Sequence, residues 1–260
     1  MLAGLIEEFG MLCRITSVLV ALMLAGCATK PQTVSVVDRP AKTVAVVASM
    51  GPKIIVGTTG VTVFEKATDA VEVPEWDLDG VAAKAMTEAL SSRFQVIVAK
   101  PREQLVDSDS RLTKAVNSTL AIETEVRQKV TFSQPVDLVV ALTLSNTAQP
   151  YRQGHETVDF GVGVSKWRQP FGTRAPRVHT YLEMAVLDGA TLKVLATKSL
   201  VVPNSAGTGE APPVVGLKGF EWHDYWHEMT PEQQDLIHQR IVSLLTQGVP
   251  YTLKQMKLAP

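Results

Sequence analysis

Two histidines four residues apart, in His223-Asp224-Tyr225-Trp226-His227, form the sharpest chemical pattern in this 260-residue chain. On an α-helix, positions i and i+4 share a face, so both imidazoles would reach one metal ion, as in H-E-x-x-H zinc hydrolases. Here the residue after the first histidine is aspartate, one methylene shorter than the glutamate that acts as general base in those enzymes. Gly219 before the pair and Thr230-Pro231 after it leave room for about two to three helical turns. A third ligand is also required, and nothing nearby has a diagnostic spacing. The competing expectation is that Phe220, Trp222, Tyr225 and Trp226 anchor a short segment, with the histidines on its polar edge. The sequence therefore predicts no resident metal, with a metal-dependent hydrolase using His223 and His227 as the alternative.

A second pattern suggests binding rather than catalysis. Lys166, Trp167, Arg168, Phe171, Arg174 and Arg177 make a basic, aromatic-bearing stretch with no carboxylate between Lys166 and Arg177. Such a stretch suits anionic lipid headgroups, lipopolysaccharide phosphates or an acidic protein; the competing expectation is a solvated hairpin tip. Gly57-Thr-Thr-Gly60 and Gly161-Val-Gly163 lack the frame of a nucleotide loop. Ser145 and Ser205 lack the G-x-S-x-G context of a hydrolase elbow. The expectation is a chain without intrinsic hydrolytic activity that acts as a binding or assembly module. A periplasmic small-ligand-binding module is a further alternative.

The amino-terminal residues explain where such a module would work. Ile15 to Gly26 carries no charge, follows Arg14, and closes on small residues and a cysteine. Twelve such residues are too few for a membrane span, which needs about 20, and the layout is that of a signal peptide. Leu24-Ala25-Gly26-Cys27 resembles the lipobox of bacterial lipoproteins. That resemblance implies cleavage between Gly26 and Cys27, a diacylglycerol on the Cys27 thiol (palmitate-type acyl chains), and attachment to a membrane of the cell envelope. Ala28, where an aspartate would favour inner-membrane retention, implies the outer membrane, facing the periplasm. Glu7 and Glu8 do not suit a positive n-region, whereas a start at Met11 would place Arg14 directly before the apolar core.

Cleavage would remove Glu7, Glu8 and Arg14 from a total of 25 basic and 26 acidic residues, leaving a formally neutral chain. Nucleic-acid binding through bulk charge is disfavoured by that balance. The partners expected are a membrane, through the lipid, and an envelope protein. The two cysteines are Cys13, inside the signal, and Cys27, which would be acylated. No thiol then remains for a disulfide, a cysteine nucleophile or a Cys-type zinc site, and no cofactor other than the covalent lipid is expected.

The elements that must position these residues follow from hydrophobic period and punctuation. Residues 1–26 read as the signal peptide and 27–42, with Pro31 and Pro40, as lipidated terminus and tether. Residues 43–260 read as one globular domain, with a hydrophobic content of 45% and 20% charged residues for the whole chain. Apolar, β-branched runs predict strands at Thr43–Ala48, Lys53–Thr58, Val61–Phe64, Phe94–Ala99, Val136–Leu144, Thr157–Val164, Val178–Leu187 and Leu192–Val201. The second and third should form a hairpin through Thr59-Gly60, and the last two a hairpin through Asp188-Gly189. Helices are predicted from Asp77, from Leu112 to about Val126, and from Thr230-Pro231-Glu232-Gln233 to a stop at Gly248. Pro203 to Gly219 reads as a long surface loop.

Helices among the early strands and hairpins later imply an α+β fold, a mixed sheet with helices packed on it and a hairpin-rich second half. Val44-Ala-Val-Val47 and Asp188-Gly-Ala-Thr191, in this order of elements, are loosely similar to the amino-terminal domain of TolB and the core of the curli secretion lipoprotein CsgG. The resemblance implies an α/β arrangement and is a fold analogy only.

Overall fold

The computed structural model describes residues 41–59, 67–106, 118–145, 161–169, 172–173 and 175–260. All of them belong to one unit that begins at Ser35. The fold is α+β, as the order of elements implies. Among the described residues, ten strands form one mixed sheet whose main path runs β3 (Ala67–Glu72), β2 (Lys53–Thr59), β6 (Gly161–Gln169), β8 (Arg177–Asp188), β5 (Leu138–Leu144), β1 (Thr43–Ser49) and β4 (Gln95–Val98).

The apolar run Thr43–Ser49 forms β1, fully buried beyond Thr43, and lies between two parallel neighbours. One is β4 (Gln95–Val98) and the other is β5 (Leu138–Leu144). Burial on both faces is why β1 and β5 read as continuous apolar runs rather than alternating ones. Lys53–Thr59 forms β2, but its antiparallel partner is β3 (Ala67–Glu72), with Thr58 opposite Ala67. The hairpin expected through Thr59-Gly60 is thus replaced by a longer connection, and residues 61–64 lie outside the described residues. Turn chemistry favoured the short loop; the pairing that forms uses the alternation further along the chain.

Gly161–Gln169 forms β6, Gly172–Thr173 forms β7, and Arg177–Asp188 forms the long strand β8. The first five residues of β8 pair with β6 and the last seven with β5, so one strand joins two halves of the sheet. Its other edge takes β9 (Val194–Ser199) and β12 (Val214–Gly216). Asp188 closes the β8–β9 turn by accepting from the Thr191 amide and hydroxyl, both at 2.8 Å. The stretch 203–219, expected as loop, therefore supplies a sheet strand, and also β11 (Glu210–Ala211), which pairs with β10 (Val202–Pro203). Its glycines and prolines obscured three short strands.

Helix α1 (Leu78–Leu90) starts where Asp77 accepts from the Gly80 amide at 3.2 Å. Asp79, in its first turn, accepts from the Met50 amide at 2.6 Å and so ties the helix to the end of β1. Burial pushes the Asp79 carboxyl up, an effect the Met50 and Gly51 amides partly offset. Helix α2 is described over Ser118–Lys129 and runs past the end expected near Val126; residues 112–117 of the predicted span lie outside the described residues.

Helix α3 (Pro231–Gln255) opens on the predicted capping box between Thr230 and Gln233. It does not stop at Gly248. A Cβ there would lie 3.2 Å from the Leu200 side chain and from the Val201 carbonyl oxygen. One turn on, the Thr252 hydroxyl accepts from the Val201 amide at 3.0 Å and donates to the Val201 carbonyl at 3.3 Å. Gly248 is a packing residue, and this grip carries the helix through Pro250, which has no amide hydrogen for a helical bond.

Helices α1 and α3 cover one face of the sheet, where Val44, Val46, Leu142, Met184 and Val186 meet Met86, Ile237, Ile241 and Leu245. Helix α2 covers part of the other, where Ala45, Val47, Val139, Ala141 and Leu187 meet Ile122 and Val126. The chain enters β1 through a clamp: Asp137 accepts from the Lys42 amide at 2.8 Å, the Thr43 amide at 2.9 Å and the Thr43 hydroxyl at 3.0 Å. Those donors hold its carboxyl below the usual carboxylate range.

Candidate functional site

The segment Phe220–Met229 is not an α-helix. Its regular turn is a 3-10 turn at Trp226–Glu228, and Tyr225 before it is extended. His223 and His227 therefore share no helical face, contrary to the spacing argument. The aromatic side chains explain this, because they fix the segment from both sides. Trp222 Nε1 donates to Thr58 Oγ1 and to Asp224 Oδ1, both at 3.0 Å, and Thr58 Oγ1 donates to Asp224 Oδ1 at 2.8 Å. Trp226 meets Trp76 edge-on with ring centroids 5.8 Å apart, and Trp76 stacks on His238 at 4.6 Å. Phe220, Trp222 and Trp226 pack against the main core. His227 stacks on exposed Tyr225 at 5.7 Å. Asp224, which occupies the position of a general base in the H-E-x-x-H pattern, is held by a strand and a tryptophan. Among the described residues, no group of three or more His, Cys, Asp or Glu is placed to hold a metal ion.

The basic stretch divides differently from the predicted loop. Lys166, Trp167 and Arg168 lie within β6, which continues past its expected end at Val164 and pairs with β7 at Arg168–Thr173 and Gln169–Gly172. Arg177 opens β8, opposite Ser165. Phe171 and Arg174 lie outside the described residues, as do Thr157 to Phe160, which were expected to begin the strand. The described part of the stretch is thus carried by strands rather than by a free loop between them.

A third cluster escaped the sequence reading. Period two along β8 puts His179, Tyr181 and Glu183 on the face that carries Ala185 and Leu187 further on. Register extends this polar row across the sheet, with Glu183 opposite Thr143 and Thr143 beside Ser49. Ser49, Thr143, Ser145 and His179 are all buried. The Ser49 hydroxyl accepts from the Leu105 amide at 2.8 Å. His179 stacks on Tyr181 at 5.0 Å, yet neither of its ring nitrogens has a hydrogen-bond partner among the described residues. Burial lowers its pKa to about 4, so the ring is neutral at pH 7; the Arg177 backbone lies near enough to offset a little of this without meeting hydrogen-bond geometry. Burial also raises the Glu183 carboxyl.

Chemically, a neutral imidazole offers one donor and one acceptor, and perturbed groups gathered on one face mark a candidate site. The sequence signal for this row was the alternation His-Thr-Tyr-Leu-Glu inside an otherwise apolar strand. In the sequence that alternation reads simply as strand.

No helix among the described residues is long and apolar enough to cross a membrane. No family model matches the chain, and no curated protein matches it. Among solved structures, protein XCC0632 from Xanthomonas campestris, of the DUF330 family, is similar at 10% identity and a TM-score of 0.38. The match covers 84% of this chain and 85% of that one. Hypothetical protein CT253 from Chlamydia trachomatis is similar at 14% identity and a TM-score of 0.25, over 82% of this chain and 99% of that one. At these scores neither likeness carries an argument about function.

Proposed function

We propose that this chain is a lipid-anchored protein of the bacterial cell envelope whose folded part acts by binding. The observation that carries the reading is Leu24-Ala-Gly-Cys27 at the end of the uncharged run Ile15–Gly26. Lipidation at Cys27 holds the chain at a membrane, facing the periplasm on the outer-membrane reading of Ala28, and the protein has no resident cofactor beyond that lipid. Binding rather than hydrolysis is supported by the engagement of Asp224 with Thr58 and Trp222. It is further supported by the cation-rich hairpin from Lys166 to Arg177, whose arginine and aromatic residues are the types enriched at binding hot spots.

Mass spectrometry of the native amino-terminal peptide tests the anchor. The expected result is an acylated Cys27 at the new terminus and an uncleaved precursor in Cys27→Ser; a free, unmodified Cys27 overturns the reading. Replacing Trp167, Arg168, Arg174 and Arg177 by alanine tests the binding role. Loss of envelope crosslinks with an intact fold is expected, whereas loss of function in His223→Ala alone would favour the metal site.

A further inference from the structure

We infer that the free edge of β4 docks a second copy of this chain, the two β4 strands pairing antiparallel about a two-fold axis at Ile97. The inference stands apart from the lipid anchor, because no residue before Lys42 enters it. Strand β4 ends the main path of the sheet, with β1 as its neighbour. The Gln95 and Ala99 amides donate to the Lys42 and Val46 carbonyls at 2.8 and 3.0 Å. Backbone groups alternate sides along a strand, so those of Ile97 also face β1, and those of Val96 and Val98 face away from it. Among the described residues nothing pairs with that outer side. Val98 is 51% exposed, and with Tyr225 it makes up the exposed large hydrophobics of the described residues. The two ends of the sheet are guarded differently. A bare edge is a template for another strand, and charge along it is a usual deterrent. At the opposite end β3 carries Asp69 and Glu72, whereas Gln95-Val-Ile-Val98 carries no charge.

Symmetry and spacing decide the occupant. With Ile97 facing Ile97 of the second copy, Val96 lies opposite Val98 and Val98 opposite Val96. Both are hydrogen-bonded pairs, in which the two residues exchange both N–H···O bonds. The side chains brought together are valines on one face and isoleucines on the other. Helix α1 lies over β1 and β4. At a strand spacing of about 4.8 Å, a helix midway over these strands runs about 5 Å from the axis, and so about 10 Å from its copy. That is the distance at which helices pack. Helix α1 turns Val81, Ala85 and Ala89 towards α3. Its flank on the β4 side therefore carries Ala83 and Thr87, short side chains that permit the approach. A lone peptide strand would fill the edge and leave that flank bare. A second copy satisfies edge and flank with one isologous contact.

Sedimentation velocity of the purified full chain over a dilution series should show monomer and dimer in concentration-dependent exchange. Val98→Lys puts a charge on the edge, and Val98→Pro removes an amide that faces away from β1. Both should weaken association at least tenfold, with the thermal midpoint unchanged at the lowest concentration. A second arm places single cysteines in a Cys13→Ser/Cys27→Ser chain. Ile97→Cys should form an intermolecular disulfide under a mild oxidant, because facing residues of a non-hydrogen-bonded pair lie about 4.5 Å apart at Cα. Ala70→Cys, on β3, should not. A chain that stays monomeric, a dimer indifferent to both Val98 variants, or crosslinking at position 70 in place of 97 overturns the proposal. A monomeric chain that loses a crosslink to a different envelope protein in Val98→Lys also overturns it, and assigns the edge to that protein's strand.

Discussion

The two faces of the sheet are built from the same strands and differ in what lies over them. Under α1 and α3 the face is apolar from Val44 to Val186, and the two helices close on it with Met86, Leu90, Ile241 and Leu245. Under α2 the apolar patch is smaller, and along β8 it gives way to Glu183, Tyr181 and His179. A strand with alternating faces can serve both purposes because a substitution on one side leaves the other untouched. The first face supplies stability. The second gives up part of its packing to hold polar groups out of water, where they cost free energy unless they are used.

The comparison can be broken most forcefully on the apolar face. Leu142→Ala, at a fully buried position beneath α1 and α3, should cost about 2–5 kcal/mol. Urea unfolding would read this as a lower midpoint at an unchanged slope. A cost near zero would mean that this face is not the load-carrying core.

The polar face should respond to acid instead. The folded pKa of His179, about 4, lies below its ordinary 6.5. As pH falls below about 6.5 the unfolded chain gains a proton that the folded chain refuses, so stability drops until about pH 4. The loss approaches about 3 kcal/mol for a displacement of this size. Glu183, raised by burial, works in the opposite direction below its own raised pKa. The contribution of the histidine is therefore read as the difference between the parent and His179→Leu across this range. The leucine variant should be at least as stable as the parent at pH 7, because the unpartnered nitrogens are gone. Identical pH profiles would show that the ring is not protected from protonation.

Smaller effects are expected where neither face is involved. Trp222→Phe keeps most of the packing but removes the donor to Thr58 and Asp224, and should cost about 1 kcal/mol. Tyr225→Ala, at an exposed ring, should stay within about 0.5 kcal/mol and serves as the control for the whole segment. Thermal melts of the two variants side by side would show whether the segment is held by Trp222, as the hydrogen bonds indicate.

Legibility from sequence followed locality. Val44–Val47 reads as a buried strand because every residue in it is apolar, and Thr230–Gln233 reads as a helix start because both bonds of the cap lie within four residues. The failures involve distant partners. Gly248 resembles a stop until Leu200 and Val201 are placed against it. The histidine pair has helical spacing, but Thr58, 165 residues before His223, helps hold the segment out of a helix through Trp222 and Asp224. The row across Ser49, Thr143 and Glu183 exists only once three strands are in register. The basic stretch was visible as composition; that it caps the far end of β8 was not.

The Asp137 clamp has a mechanical consequence. Any tension carried by the residues before Ala41 enters the fold at Lys42 and Thr43, and from there passes into β1, which has a hydrogen-bonded parallel neighbour on each side. Pulling β1 along its own axis loads both ladders at once, in shear, whereas an edge strand pulled sideways unzips one bond at a time. Asp137 sits ahead of both ladders and grips two backbone amides and a hydroxyl, so it takes the strain first. A pull on the residues before Ala41 is thus met by the β4 and β5 ladders together, and across the sheet β2, β3 and β6 feel it only through β5 and β8.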